Sequence, residues 1–130
     1  MILTTKARYA VMAVIDLAQD ASDQPVSLQT IAKRQKISLS YLEQIFACLR
    51  KSGLVAAVKG PGGGYVLGKN PEQITIADII KTMGEHVKMT RCSSKNGCVT
   101  PGVKCKTHHL WRGLENKIYE YLNSISLKDL

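Results

Sequence analysis

Apolar residues return every three or four positions over three successive stretches of this chain. Val11, Val14, Ile15 and Ala18 stand at i, i+3, i+4 and i+7. That spacing predicts a helix over residues 5–21 with those four on its buried face. The sequence DQPVS then breaks the pattern. Ser27 is placed as the N-cap of a second helix, with Leu28, Ile31 and Ala32 as a short apolar edge ending near Gln35–Ile37. The third stretch, SLSYLEQIFACLRKSG, sets Leu42, Ile45, Phe46 and Leu49 on one face. Ser40 and Glu43 have the spacing of a capping box, and Gly53 after Arg50 and Lys51 is a helix stop. Two helices joined by so few residues read as a helix-turn-helix.

Leu54–Val58 and Tyr65–Leu67 are β-prone runs around a Gly/Pro turn, a hairpin in the position of a wing. So small a sheet must pack on the helices. NPEQ is a linker, and TIADIIKTMG predicts a short helix with Ile76, Ile79 and Ile80 inward. Residues 84–106 form a loop holding three cysteines. The tail predicts a longer helix with Leu110, Leu114, Ile118, Tyr121, Leu122 and Ile125 along one face. Gly113 inside it marks a close contact, since mid-helix Gly costs up to ~1 kcal/mol relative to Ala. The winged domain already has its core, so this last face is expected to meet its twin in a homodimer. The expected fold is mainly α with a small β-hairpin. A winged helix-turn-helix domain spans residues 1–70, a connecting helix 71–84, the cysteine loop 85–108, and a dimerisation helix and tail 109–130.

Composition narrows the function. The 45% apolar content of the 130 residues excludes general disorder. No apolar run approaches the ~20 residues of a membrane span, and AVMAVIDLA is short and carries Asp16. No charged–apolar–small signal pattern opens the sequence, so a cytoplasmic protein is expected. That compartment is reducing and disfavours disulfides. The net charge is +8, and residues 1–69 hold nine Lys/Arg against four Asp/Glu. A basic face draws polyanions, either nucleic acid or an anionic membrane surface; the plain alternative is solubility. No acid–base pair suggests an enzyme.

The third helix is the candidate reading helix. Its outward N-terminal positions Ser38, Ser40, Tyr41, Glu43 and Gln44 are those that meet base edges in the major groove in this motif. Gln can bond adenine twice and Glu can accept from cytosine N4, although Glu43 has the alternative of merely closing the cap. At the wing tip, Lys59, Gly60 and Pro61 combine a cation with backbone that can approach a phosphate closely. Tyr65 is expected to pack. Gly63 to Lys69 imitates the start of a P-loop, but Asn70 and Pro71 stand where Ser or Thr and a helix should follow.

The loop RCSSKNGCVTPGVKCKTHH has the spacing C-x5-C-x6-C-x2-H, from Cys92 through Cys98 and Cys105 to His108. Thiolates and imidazole in a loop suit zinc or an iron–sulfur cluster. Zinc knuckles are usually tighter, whereas a cluster spreads its ligands over two irons. His109 competes with His108, and His86 lies upstream in exposed loop. An imidazole anchor is weaker than a thiolate, which suits a labile sensor rather than an electron carrier. Cys48, beside the apolar face of the third helix, is expected to be a buried structural thiol.

These stretches together resemble the winged-helix IscR/NsrR/CymR family of transcription regulators, in its iron–sulfur branch. The resemblance runs from LTTKARYAV through ISLSYLEQIF, LRKSGLV, VKGPGGGYVLGK and RCSSKNGC to THHLWR and LNSISL. It implies a homodimeric regulator, mainly a repressor, binding palindromic double-stranded DNA. It implies a 2Fe–2S cluster on Cys92, Cys98, Cys105 and His108, supplied by the cluster-assembly machinery whose genes it controls. It implies that Glu43 repels one class of site in the apo form, that Ser40, Tyr41 and Gln44 meet the major groove, and that Lys59, Gly60 and Pro61 enter the minor groove. The x6 gap departs from the x5 of the iron–sulfur branch, towards the longer gap of the nitric-oxide-sensing branch. Lys59 replaces a common Arg, keeping charge without the planar fork. Arg8 excludes the carboxylate ligand that some relatives carry near that position.

Overall fold

The computed structural model describes residues 3–20, 24–90 and 103–130. Three helices come first: α1 (Thr5–Gln19), α2 (Leu28–Gln35) and α3 (Leu39–Lys51). The antiparallel hairpin β1 (Val55–Val58) and β2 (Gly64–Leu67) follows, then α4 (Ile76–Thr82) and α5 (His108–Ser124). This is the winged arrangement expected from the sequence.

The core gathers where α3 presses on the other elements. Leu42, Ile45, Phe46 and Leu49 are completely buried, together with Val14 of α1, Ile31 of α2 and Ile79 of α4. Each such side chain stabilises the fold by about 1.5–3 kcal/mol. α1 packs differently from expectation. Its most buried residues are Ala7, Ala10, Ala13, Val14 and Leu17, while Val11, Ile15 and Ala18 are only partly covered. The inward stripe is rotated towards the alanines, because a small side chain lets α1 lie close to its neighbours.

Helix ends explain the joints. Thr4, Ser27 and Thr75 cap α1, α2 and α4 through their hydroxyls. α2 stops at Lys36, held at φ 55° in the left-handed region, where glycine is usual. That turn delivers Ile37 into the core. α3 then begins at Ser38, whose hydroxyl accepts from the Tyr41 N–H at 3.3 Å. The expected capping box of Ser40 with Glu43 does not form: Ser40 lies inside the helix, and Glu43 is released from any capping duty.

The wing is tied down at its root. Val26 and Tyr65 exchange two backbone hydrogen bonds, of 3.0 and 2.8 Å, and the Tyr65 ring meets Phe46 edge-on at 4.8 Å. A Cβ on Gly64 would lie 2.4 Å from the Val26 carbonyl oxygen, so only glycine fits there. At the other end, the segment after α5 returns to pair with the entry to α4. Ile76 N–H donates to Ile125 at 3.0 Å and Leu127 N–H to Ile74 at 3.0 Å.

Among the described residues, one carboxylate is buried. Asp16 on α1 accepts from Arg34 at 3.0 Å and from Gln35 at 2.7 Å, both from α2, and Arg34 reaches on to Asp20 at 2.8 Å. The cluster locks α1 to α2 across 18 residues of sequence. Asp16→Ala would remove both hydrogen bonds that join α1 to α2 here, and is expected to cost about 1–3 kcal/mol. Urea unfolding with an unchanged m-value would measure it.

Candidate nucleic-acid interface

α3 lies across the domain with its apolar face down and its polar edge in solvent. Ser40, Glu43 and Gln44 are exposed, and no hydrogen bond or ion pair ties their side chains to the described residues. Neither α2 nor α3 has an acidic residue in its first turn, so their N-terminal N–H groups are left to attract anions. Two of the expected reading residues have other duties. The Ser38 hydroxyl caps α3. Tyr41 is half-buried against the core, and Tyr9 of α1 meets it edge-on at 5.8 Å. Arg8 lies 6.0 Å over the Tyr9 ring, which places a cation beside the start of α3.

The wing tip projects beyond β1 and β2. Lys59, Gly60 and Pro61 are exposed, and Gly60 adopts φ 100° in the turn. The tip closes by a hydrogen bond from Gly63 N–H to the Gly60 carbonyl at 2.9 Å. A cation, a left-handed glycine and a proline thus stand clear of the body, as an arm that follows a groove requires. Tyr65 packs, as expected. Cys48 is half-buried on α3 rather than fully enclosed.

The second region of interest flanks the cysteine loop. Cys92 and Cys98 lie outside the described residues. Cys105 and His108 share the turn that opens α5: His108 N–H donates to the Cys105 carbonyl at 3.1 Å, and the Cys105 Sγ lies 3.4 Å from the Thr107 hydroxyl. His108 is buried and His109 is exposed, with their rings edge-to-face at 5.4 Å. Burial first, then the charges of Lys104, His109 and Arg112, lower the His108 pKa. Each of these favours the neutral imidazole, the form that can ligate a metal, while Glu115 opposes them. Among the described residues no three His, Cys, Asp or Glu side chains gather to hold a metal.

α5 divides its apolar residues between two directions. Leu122 and Ile125 pack on the chain's own core. Leu110, Leu114 and Tyr121 are exposed, the first and last by 61% and 66%, with Ile118 half-buried between the two sets. Gly113 makes no close approach to the described residues, since a Cβ there would meet none of them within 4 Å.

Residues 3–130 match the Rrf2 family of iron-dependent transcriptional regulators. The chain belongs to this family. Two HTH-type transcriptional regulators IscR, from Cronobacter sakazakii (strain ATCC BAA-894) and Photorhabdus laumondii subsp. laumondii, are each 52% identical over 130 residues. That span is 100% of this chain and 80% and 79% of theirs. The solved structure of T. potens IscR has a TM-score of 0.81 at 39% identity, covering 99% of this chain and 85% of that one. CymR, the global cysteine regulator of B. subtilis, has a TM-score of 0.85 at 32% identity, covering 99% and 95%. This Rrf2 chain is thus a winged-helix, DNA-binding transcriptional regulator. No helix among its described residues is long and apolar enough to cross a membrane.

The two serines at the head of α3 separate stability from reading. Ser38→Ala removes the cap and is expected to lower stability by about 1 kcal/mol. Ser40→Ala should change stability by less than ~0.5 kcal/mol while altering affinity for DNA. Thermal unfolding and fluorescence-anisotropy titration of both variants measure the split.

Proposed function

We propose that this Rrf2 regulator acts as a cytoplasmic homodimer on palindromic double-stranded DNA. It adjusts its promoter choice to the state of a 2Fe–2S cluster, repressing above all the genes that build such clusters. The observation that carries the DNA half of this reading is the polar edge of α3. Ser40, Glu43 and Gln44 are exposed, and their side chains make no hydrogen bond or ion pair to the described residues. A carboxylate facing a polyanion is costly, so Glu43 acts as a filter against sites whose bases cannot bond it. Gln44 supplies the positive contact, and Lys59 with Gly60 and Pro61 grips the backbone beside it.

The dimer reading is supported by the exposed row of Leu110, Leu114 and Tyr121 on α5. Two such rows facing each other across a two-fold axis would bury what one chain leaves in water. A two-fold protein reads a palindrome, with half-sites about one helical turn apart.

The sensing half rests on the donor chemistry around α5. Cys92, Cys98 and Cys105 would supply thiolates, and His108 a neutral imidazole, which is the softness an iron–sulfur centre requires. When bound there, the cluster supplies a centre that responds to iron, oxidants or nitric oxide. His108 is the ligand that binds less firmly than the thiolates, so the set can be emptied without unfolding the domain. The assembly machinery for such clusters would be its source.

Anaerobic purification with a visible spectrum and metal analysis on one sample tests the cofactor. About two irons and two sulfides per chain are expected; a colourless protein with one zinc per chain would overturn the sensing reading. Cys92→Ala, Cys98→Ala and Cys105→Ala should each leave a folded dimer without colour that still binds a subset of duplexes. Lys59→Ala should weaken binding roughly equally across sequences and lower the salt slope by about one. A loss confined to one base position would contradict a phosphate contact.

A further inference from the structure

The arm that leads into the cysteine loop is pinned at both ends by a carboxylate, its own Glu85 at the start and Glu115 of α5 at the end. At its start, Glu85 accepts from the Thr4 N–H at 3.0 Å, a contact across 81 residues. Thr4 is the N-cap of α1, and α1 has no acidic residue in its own first turn. Glu85 therefore supplies the negative charge that this helix end favours. At its end, the Met89 N–H donates to Glu115 of α5 at 2.7 Å. Glu115 stands seven residues after His108, two turns along the same face of the helix. Between the two pins, Val87 is half-buried in a groove of about 310 Å³ between α4 and α5, lined also by Ile80, Tyr119 and Leu122. Cys92 follows Met89 by three residues in the sequence.

We propose that Glu115 and Glu85 are positioning residues that hold the Glu85–Met89 arm between α5 and the head of α1. Through this arm, the state of the cysteine loop biases the DNA-reading helix. The second half rests on the sensing function proposed above. The route is continuous: α5 holds Met89, the arm holds Thr4, and Tyr9 on α1 meets Tyr41 in the first turn of α3. Each carboxylate acts through a backbone amide, Glu85 through Thr4 N–H and Glu115 through Met89 N–H.

Two measurements test this. Hydrogen exchange of the peptides over residues 3–10 and 85–90 in the cluster-free protein reads the pins directly, at the Thr4 and the Met89 amide. Glu115→Ala should lose protection at Met89, and Glu115→Gln, which keeps an acceptor oxygen, should retain it. Equal exchange in wild type and Glu115→Ala overturns the proposal. The second measurement uses a duplex selected by the wild-type protein from a random-sequence pool, bound by cluster-loaded and cluster-free protein. Wild type should show an affinity change in the range of about 5–150-fold ordinary for coupled sites. In Glu85→Ala and in Glu115→Ala that change should shrink towards onefold, with the cluster-free affinity unaltered. An undiminished change overturns the coupling. A wild type that carries no cluster defeats the sensing reading and the coupling with it, while the exchange measurement still decides the pinning.

Discussion

The exchange of two backbone hydrogen bonds between Val26 and Tyr65 is the constraint on which the reading surface depends. It joins the connection before α2 to the second strand of the wing. The ring of Tyr65 then lies against Phe46, which is wholly buried beneath α3. Three separate pieces of chain meet at one residue. The wing cannot swing without breaking two hydrogen bonds and uncovering an aromatic pair. α3 and the wing are consequently held as one surface, so if they meet DNA together, as proposed, little ordering entropy is left to be lost on binding.

Much of this was legible in the sequence, and the parts that were not share a cause. The faces of α3 and α4 stand as expected, since large aliphatic residues at helical spacing mark burial directly. On α1 the same count selected Val11 and Ile15, whereas the interior took Ala7, Ala10 and Ala13. Periodicity of bulk overlooks helices that pack by being thin. At the head of α3, Ser38 and Ser40 both have the chemistry of a cap. The choice between them was made by burial of Ile37 and the left-handed turn at Lys36, neither of which a local motif displays. Contacts such as Arg34 with Asp16, or Glu115 with Met89, join residues whose spacing carries no periodic signal.

α5 illustrates how one pattern serves two masters. A single apolar face was expected over Leu110, Leu114, Ile118, Tyr121, Leu122 and Ile125. In the fold, its C-terminal members Leu122 and Ile125 help close the chain's own core, where the returning segment at Leu127 completes the layer. Its earlier members stay in water. The helix thereby belongs to the domain at one end and offers itself outward at the other, with Cys105 and His108 at the offering end. A change in that region has a short path to whatever covers the exposed row.

The glycines of the wing decide how such a regulator can diverge. At Gly63 an added Cβ would lie 2.3 Å from the Val58 carbonyl, and at Gly64 it would strike Val26. In both cases the obstacle is main chain, which no compensating side-chain change elsewhere can remove. Heritable variation at the tip is therefore channelled into Lys59 and Pro61, where solvent accepts any side chain. Lineages descending from one such wing would keep its shape and alter only its charge and stiffness. Their target repertoires would then drift in grip strength more readily than in geometry.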